Sequence, residues 1–384
     1  MRVAIIEPVG GHGGMNHYDT ALCRSVVDFG IAPILYTCNS LLISDHQFET
    51  RFPYIGIFGS DPAWKRGLRF LRGSISAMLD ARGAGCKVAH FHFFSIGPLE
   101  LFNVICARTF GLQVVVTAHD VEAFGIGLSV ERFVKWAYAL SDAIIAHNET
   151  SRSALVEKIL VSPAKIHVIP AGNHETLSKN AVSRALARER LNLRDEEFTI
   201  VFFGQIKKVK GLDILLHAMP EVIKLAGRPV KLIIAGRLWK HGFDEYQKII
   251  DNHHLEKFVS LNINYIPDDD LPNFYRGPDI MVLPYRRIYQ SDVALMALTF
   301  EIPIVSSDVP GMKEMLTHLK TGILFESDNP SDLARKLLWS IHNPEALRII
   351  IKNGKELAER KYSWSSIGEK TATLYRSLDQ HVNC

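Results

Sequence analysis

The stretch from Thr199 to Gly211, TIVFFGQIKKVKG, constrains the fold of this chain more than any other. Thr199-Ile-Val-Phe-Phe203 is an unbroken apolar run of strand length, rich in β-branched and aromatic side chains. A strand wetted on one face alternates polar and apolar residues, whereas an unbroken run belongs to one covered on both faces, as in parallel sheets. Gly204 ends the run, Lys207, Lys208 and Lys210 make a short cationic loop, and Gly211 opens Leu212–Ala218, which has helical spacing. The carboxyl end of such a strand, facing a helix N-terminus, is where anionic ligands settle in open α/β sheets. Lysines there add charge for a phosphate or diphosphate. An ordinary βα loop with solvated lysines fits the same spacing, so on these residues alone both readings stand.

The rest of the chain repeats the alternation. Val3–Ile6 reads as a strand, Gly10–Gly14 (GGHGG) as a glycine-rich loop, Met15–Phe29 as a helix and Pro33–Thr37 as a second strand. Glycines at that density bring backbone N–H groups close to a ligand, although the spacing is not that of a dinucleotide fingerprint and no acid ends the second strand. A plain tight turn is the alternative. Val88–Phe94, Val114–Ala118, Ala143–Ala146 and Ile166–Pro170 read as further strands. His119 falls just past a strand end, where α/β domains place chemistry. His90 and His92 lie inside their strand and read as core histidines satisfied by backbone.

The polar, charge-rich segment after His174 reads as the connection between domains, with 176–195 as linker and 196–363 as the second domain after a first domain of 1–175. Lys231–Gly236, Val259–Asn262, Asp279–Leu283, Ile302–Ser306 and Gly322–Phe325 are the later strands, and Pro330 to Asp379 is helical. The end of that stretch, 364–384, is expected to return to the first domain. A chain of 384 residues suits two cores of ordinary size. With 47% apolar and 22% charged residues the whole chain can fold as globular protein, and a net charge of +3 makes no case for nucleic acid. The scattered Cys23, Cys38, Cys86, Cys106 and Cys384 suit a reducing cytosol, with no CxxC pair for zinc. The start MRVAII reads as a strand rather than a signal peptide, and no run reaches the ~20 apolar residues of a membrane span.

Between Asp61 and Arg82, Trp64, Leu68, Leu71 and Ile75 fall on one helical face flanked by Lys65, Arg66, Arg69 and Arg72. A basic amphipathic helix suits an anionic membrane surface or an acidic acceptor. Packing of the apolar face on its own domain, with solvated arginines, is the alternative.

Eight segments in order carry a family resemblance: Gly10–Gly14, TAHD (Thr117–Asp120), VIPAGN (Val168–Asn173), FFGQIKKVKG, LIIAG (Leu232–Gly236), YIPDDDLPNFY (Tyr265–Tyr275), PDIMVLPY (Pro278–Tyr285) and IPIVSSDVPGMKEML (Ile302–Leu316). Together they make the chain resemble the GT-B glycosyltransferases, in particular the retaining enzymes of glycosyltransferase family 4 that build bacterial surface polysaccharides. The resemblance implies two Rossmann-like parallel-sheet domains facing each other across a cleft. It implies a UDP- or GDP-linked sugar held by the second domain, and a saccharide or polyprenyl-diphosphate-linked acceptor on the first. No cofactor or metal is implied, and the location is cytoplasmic, on the inner face of a membrane when the acceptor is a lipid. By that resemblance Lys207 and Lys210 hold the diphosphate, Gly13 and Gly14 approach it, and His119 lies over the donor sugar. Tyr265, Ile266 and Glu314 also line the donor site, Glu314 matching the acid after the glycine turn.

One departure stands out. The family carries two glutamates, eight positions apart, running into the helix after PDIMVLPY; here those positions are Ile288 and Met296. Neither is a useful hydrogen-bond acceptor. The helix start survives, with Ser291 as N-cap and the amides of Asp292 and Val293 able to meet a phosphate or sugar oxygen. Either Gln290 and Asp292 supply the polar contacts, or donor binding is degraded. The run Asp268–Asp270 reads as a helix start rather than a metal site. Two other classes stay open: a GT-B protein that binds a nucleotide sugar or a partner enzyme without turnover, and a nucleotide-sugar epimerase using Asp120 or Glu122.

Overall fold

The computed structural model describes residues 1–10, 15–38, 47–121, 128–179, 181–239 and 242–380. Gly13, Gly14 and Glu122 lie outside the described residues. The chain divides into two units, Met1–Gly172 with Tyr362–Cys384, and Asn173–Lys361.

The first unit is built on a parallel sheet of β1 (Arg2–Glu7), β2 (Ala32–Thr37), β3 (Glu49–Arg51), β4 (Cys86–Phe93), β5 (Gln113–Ala118), β6 (Ala143–Ala146) and β7 (Ile166–Val168). Their order across the sheet is β3-β2-β1-β4-β5-β6-β7, so the direction of winding reverses between β1 and β4. The apolar strand sequences are buried on both faces, as their unbroken composition requires. On one face Val3, Ile5, Leu35, Val88 and Val115 pack against Leu22, Cys23 and Val26 of the helix Met15–Val27. Tyr375, Leu374 and Leu378 of the last helix, Trp364–Gln380, join the same core.

The helix Ala63–Gly83 buries Phe70, Ser74, Ala77, Met78 and Ala81. Of the stripe read from the sequence, Trp64 is 68% exposed, Leu68 and Ile75 are exposed and Leu71 is half-buried, with Leu79 exposed beside them. Two interleaved apolar sets share this helix, and the one that packs combines Phe70 and Met78 with the small Gly73, Ser74, Ala77 and Ala81. Arg69 is spent locally, donating to the Gly56 carbonyl at 2.8 Å and to Asp61 at 2.6 Å.

The second unit holds β8 (Phe198–Phe203), β9 (Val230–Ala235), β10 (Val259–Asn262), β11 (Ile280–Leu283), β12 (Ile304–Ser307) and β13 (Ile323–Phe325). They form a parallel sheet in the order β10-β9-β8-β11-β12-β13, reversing between β8 and β11. The apolar run Thr199–Phe203 thus lies in a central strand beside the switch point. Ile200 and Phe202 pack with Leu212, Leu215 and Met219 of the helix Leu212–Leu225, which runs on past Ala218 to Leu225.

The segment 176–195 is not a linker but part of this unit, as the helices Glu175–Lys179 and Arg184–Arg190. Arg188 is buried there and donates to the carbonyls of Gly277, Arg194 and Glu197. A guanidinium with five donors can serve several carbonyls at once, and this one fastens charged sequence into the fold. Among the described residues no helix is long and apolar enough to cross a membrane.

Candidate functional site

In the second unit the loop after β8 is held by backbone closeness that only glycine permits. Gly211 sits at φ 69° as the cap of the helix Leu212–Leu225, and a Cβ there would meet the Pro284 carbonyl oxygen at 1.9 Å. Gly236, at φ 133° past β9, would place a Cβ 2.0 Å from the Gly204 oxygen. The loop is therefore pressed between the carboxyl ends of β9 and β11, at the switch point, where open sheets bind ligands. Arg286 staples it: the backbone N–H donates to Val209, and the guanidinium donates to the Lys208 carbonyl and, through two bonds of 2.8 and 2.7 Å, to Asp213.

The three lysines of this loop have different fates. Lys208 pairs with Glu245 at 2.9 Å. Lys207 lies 4.4 Å from the centroid of the Trp239 ring, and Lys210 lies 4.1 Å from that of Tyr285. Aromatic faces attract ammonium groups and restrict them. Tyr285 does more than carry Lys210, because its hydroxyl is 3.1 Å from Ser291 Oγ. Ser291 Oγ in turn accepts from the Ala294 N–H and caps the helix Asp292–Thr299. One buried tyrosine thus ties a cation to a helix N-terminus, where the first-turn amides of Asp292 and Val293 point out of the helix end. Val293 also touches this corner, since a Cβ at Gly204 would lie 3.4 Å from its Cγ2.

The polar substitutes for the missing glutamates are placed differently from one another. Asp292 accepts from His174 Nε2 at 2.8 Å. Burial lowers the His174 pKa, but the charge and hydrogen bond of Asp292, with a further contribution from Asp268, outweigh it and leave the pKa raised. Gln290 Oε1 is buried without a hydrogen-bond partner. Met296 belongs to the core, 7% exposed, and Ile288 is half-buried. Of the remaining expected donor residues, Tyr265 is exposed, Ile266 buried, and Glu314 half-buried in the helix Pro310–Met315. The helix after the acidic run begins at Leu271, and the Asp270 side chain makes no capping bond, so that run marks the helix start without capping it. Among the described residues no cluster of His, Cys, Asp or Glu is arranged to hold a metal.

In the first unit, histidines gather at the carboxyl ends of β4, β5 and β6. His92 Nδ1 is 3.2 Å from His119 Nε2, and His119 Nδ1 is 3.2 Å from His147 Nε2. His147 Nδ1 donates to the Ile169 carbonyl at 3.0 Å. Tyr18, from the helix Met15–Val27, sets its ring edge-on to all three imidazoles and to Trp364. Phe94 stacks on His119 with centroids 4.6 Å apart. His90 lies one layer deeper, between Tyr375 Oη at 2.6 Å and Thr117 Oγ1 at 2.7 Å. His90 is a core histidine satisfied by side chains, not by backbone as expected, because backbone groups inside a parallel sheet are already paired; His92 meets His119 through Nδ1, and its buried Nε2 has no partner. Burial is the first cause, and neighbouring imidazoles the second, that hold His90 down at about 3 and His92 and His119 well below the ordinary range. These rings stay neutral at physiological pH.

Trp239, Tyr285, His147 and Tyr18 are the contributors that sequence reasoning missed. His147 was findable by the rule that drew attention to His119, since it too stands one residue past a strand, β6. The rings beneath the lysines were not, because which aromatic lies under a cation depends on the loop's course.

Residues 12–174 match the family model described as Glycosyltransferase Family 4, and residues 183–357 match that described as Glycosyl transferases group 1. The chain is 24% identical over 337 residues to the alpha-D-kanosaminyltransferase of Streptomyces kanamyceticus, covering 84% of this chain and 85% of the relative. Its fold matches that of the sucrose-phosphate synthase from Thermosynechococcus elongatus, with TM-score 0.79 at 21% identity over 99% of this chain and 100% of the other. It also matches Anabaena HepE in complex with UDP-glucose, with TM-score 0.75 at 16% identity over 98% of this chain and 100% of the other. With both halves matched by family models and the fold shared along its length, the chain belongs to the GT-B glycosyltransferases of the family 4 type.

Proposed function

We propose that the chain transfers a sugar from a nucleotide-diphosphate donor to a saccharide or lipid-linked acceptor, with retention of configuration and without a metal at the diphosphate. The observation that carries this reading is the pair Lys207 and Lys210, each restrained on an aromatic ring beside the switch point of the second sheet. Cleaving the bond to a diphosphate develops negative charge on the leaving group and positive charge on the anomeric carbon. Two ammonium groups and the amides of Asp292 and Val293 offer charge stabilisation fixed before the reaction begins. The solved HepE complex with UDP-glucose supports a donor of this class. In this reading Gly13 and Gly14 approach the diphosphate, and His119 contacts the sugar. Retention follows when the leaving phosphate takes the acceptor proton on the same face, so that the protein supplies no general base.

The lipid-linked acceptor is supported by the exposed stripe Trp64, Leu68, Ile75 and Leu79 with Lys65 and Arg72 beside it. Such a face suits weak, salt-sensitive attachment to an anionic leaflet, at about 1 kcal/mol per basic residue near the surface. Charge reversal at Lys65 and Arg72 should abolish sedimentation with anionic vesicles, and sedimentation with neutral vesicles should be absent throughout.

A second reading is a protein that binds donor with little turnover. It is favoured by Met296 in the core and Ile288 where the family has glutamates, and by Asp292 being engaged with His174. One experiment separates the two: binding and turnover of UDP- and GDP-sugars, with and without lipid-linked acceptor, each with and without EDTA, and the product's anomeric configuration read by NMR. Transfer with a retained anomer, insensitive to EDTA, is expected. Tight donor binding with no turnover on any acceptor points to the second reading, and no binding of any nucleotide sugar refutes both.

A further inference from the structure

The three linked histidines of the first unit have a direction, and that direction determines how His119 can act. A backbone carbonyl only accepts, so the bond to Ile169 requires the proton of His147 on Nδ1. In a neutral ring the other nitrogen is a lone pair, so His147 Nε2 accepts from His119 Nδ1. By the same step His119 Nε2 is a lone pair and accepts from His92 Nδ1. The series ends at His92 Nε2, a lone pair buried with no partner. The reverse polarity needs a second proton in the series. That proton would sit on His147, which is 5% exposed and set edge-on to the Tyr18 ring, where burial disfavours a charged imidazole.

Both nitrogens of His119 are therefore engaged in the structure, one as donor and one as acceptor. A substrate group can reach the ring only by displacing His92 from Nε2 or His147 from Nδ1. Displacing His147 would strand the lone pair of His147 as well as the proton of His119. Displacing His92 from Nε2 leaves the His119–His147–Ile169 series intact, and a substrate hydroxyl replaces one donor by another at the same lone pair.

We infer that His147 and His92 are positioning residues that hold His119 as its Nδ1–H tautomer and reserve its Nε2 lone pair for a hydroxyl donor. The hydroxyl is that of a sugar, a step that rests on the proposed glycosyl transfer; the tautomer does not depend on it. His119 acts as a neutral hydrogen-bond acceptor, not as a proton donor to the leaving group.

Nitrogen-15 NMR of the histidine-labelled full chain near pH 7, without ligand, reads the tautomer directly. A pyrrole-type Nδ1 and a pyridine-type Nε2 at His119 are expected, and the converse pattern overturns the inference without any variant. His147→Phe keeps a ring but removes the acceptor, so the His119 Nδ1 signal should lose its pyrrole character. Turnover should then fall roughly tenfold to a hundredfold with donor KM little changed, the scale on which partners that orient a functional histidine act. His147→Gln retains a carbonyl to accept from His119 and an amide to donate to Ile169, and should restore both the signal and most of the turnover. An unchanged His119 tautomer in folded His147→Phe overturns the positioning role. A locked tautomer with turnover indifferent to His119→Ala leaves the lock standing and refutes the sugar contact instead.

Discussion

Replacing Lys210 by alanine separates what the lysine does for the fold from what it does for a ligand. Its ammonium lies 4.1 Å from the Tyr285 ring centroid, a contact worth about 0.5–1 kcal/mol at a partly exposed site. For a unit of this size that predicts a melting shift of roughly 1–4 °C. A charge-assisted contact to a diphosphate contributes about 1.5–3 kcal/mol, which is roughly a tenfold to 150-fold loss of affinity for UDP or GDP. The loss in turnover should be larger, because the charge on the leaving group grows in the transition state. Calorimetric titration of the free nucleotide diphosphates, run beside thermal melts, distinguishes the two scales.

The same loop supplies its own controls. Lys208 is diverted to Glu245, and exposed pairs of that kind contribute about 0–1 kcal/mol. Lys208→Ala should leave nucleotide affinity within about threefold of wild type. Tyr285→Leu removes the platform while keeping the charge, and should weaken binding less than Lys210→Ala but lower stability more, since the Ser291 bond is lost with it. If Lys210→Ala binds UDP and GDP as tightly as the wild type while melting shifts as expected, the lysine is a packed surface cation and the diphosphate assignment fails.

Other expectations follow from single contacts. Gly236→Ala brings a methyl within 2.0 Å of the Gly204 oxygen; the cost should be on the order of 3 kcal/mol or more, seen as a drop of roughly 6–12 °C in the melting of the second unit. His174 has a raised pKa in the folded chain, so its ion pair with Asp292 stabilises fully below the unfolded value, near pH 6.5, and loses that contribution as pH rises through the folded value. The stability deficit of His174→Asn relative to wild type, followed by denaturant melts, should therefore be larger at pH 5.5 than at pH 8.5, and a deficit independent of pH would argue against a charged His174.

The strands are legible because a buried parallel strand announces itself: TIVFF and LIIA leave no polar face to wet, and in VAHFHFF only His90 and His92 interrupt an apolar run. Edge strand β3 is not, since Glu49-Thr-Arg51 is polar and joins the sheet only by pairing with β2. The helices Glu175–Lys179 and Arg184–Arg190 read as a connection because their charged residues look solvated in sequence. Arg188 reaches the carbonyls of Arg194 and Glu197 nearby in sequence, but its third partner, Gly277, is 89 residues away. The same limit applies at the candidate site. Lys207, Lys210, His119 and Ser291 could be singled out by position after a strand or before a helix. His90 finds Tyr375 at a separation of 285 residues, and such pairings are set by the order of strands and helices in space, which spacing along the chain does not encode.

The loss of the two glutamates need not affect both ends of a donor equally. In the proposed function the diphosphate end rests on backbone closeness at Gly211 and Gly236, ring-held lysines and a capped helix, none of which involves positions 288 or 296. The sugar end lacks those carboxylates, yet Gln290 Oε1 is buried and unpaired. An unsatisfied buried acceptor costs about 1–3 kcal/mol, a cost that a donating sugar hydroxyl would remove. Gln290→Met, close in volume and without the acceptor, should therefore leave the free protein as stable or more so. It should leave affinity for UDP or GDP unchanged while weakening binding of the cognate nucleotide sugar about fivefold to thirtyfold, the equivalent of 1–2 kcal/mol. Equal weakening toward nucleotide and nucleotide sugar would place Gln290 at the diphosphate end, and the separation of the two ends would not hold.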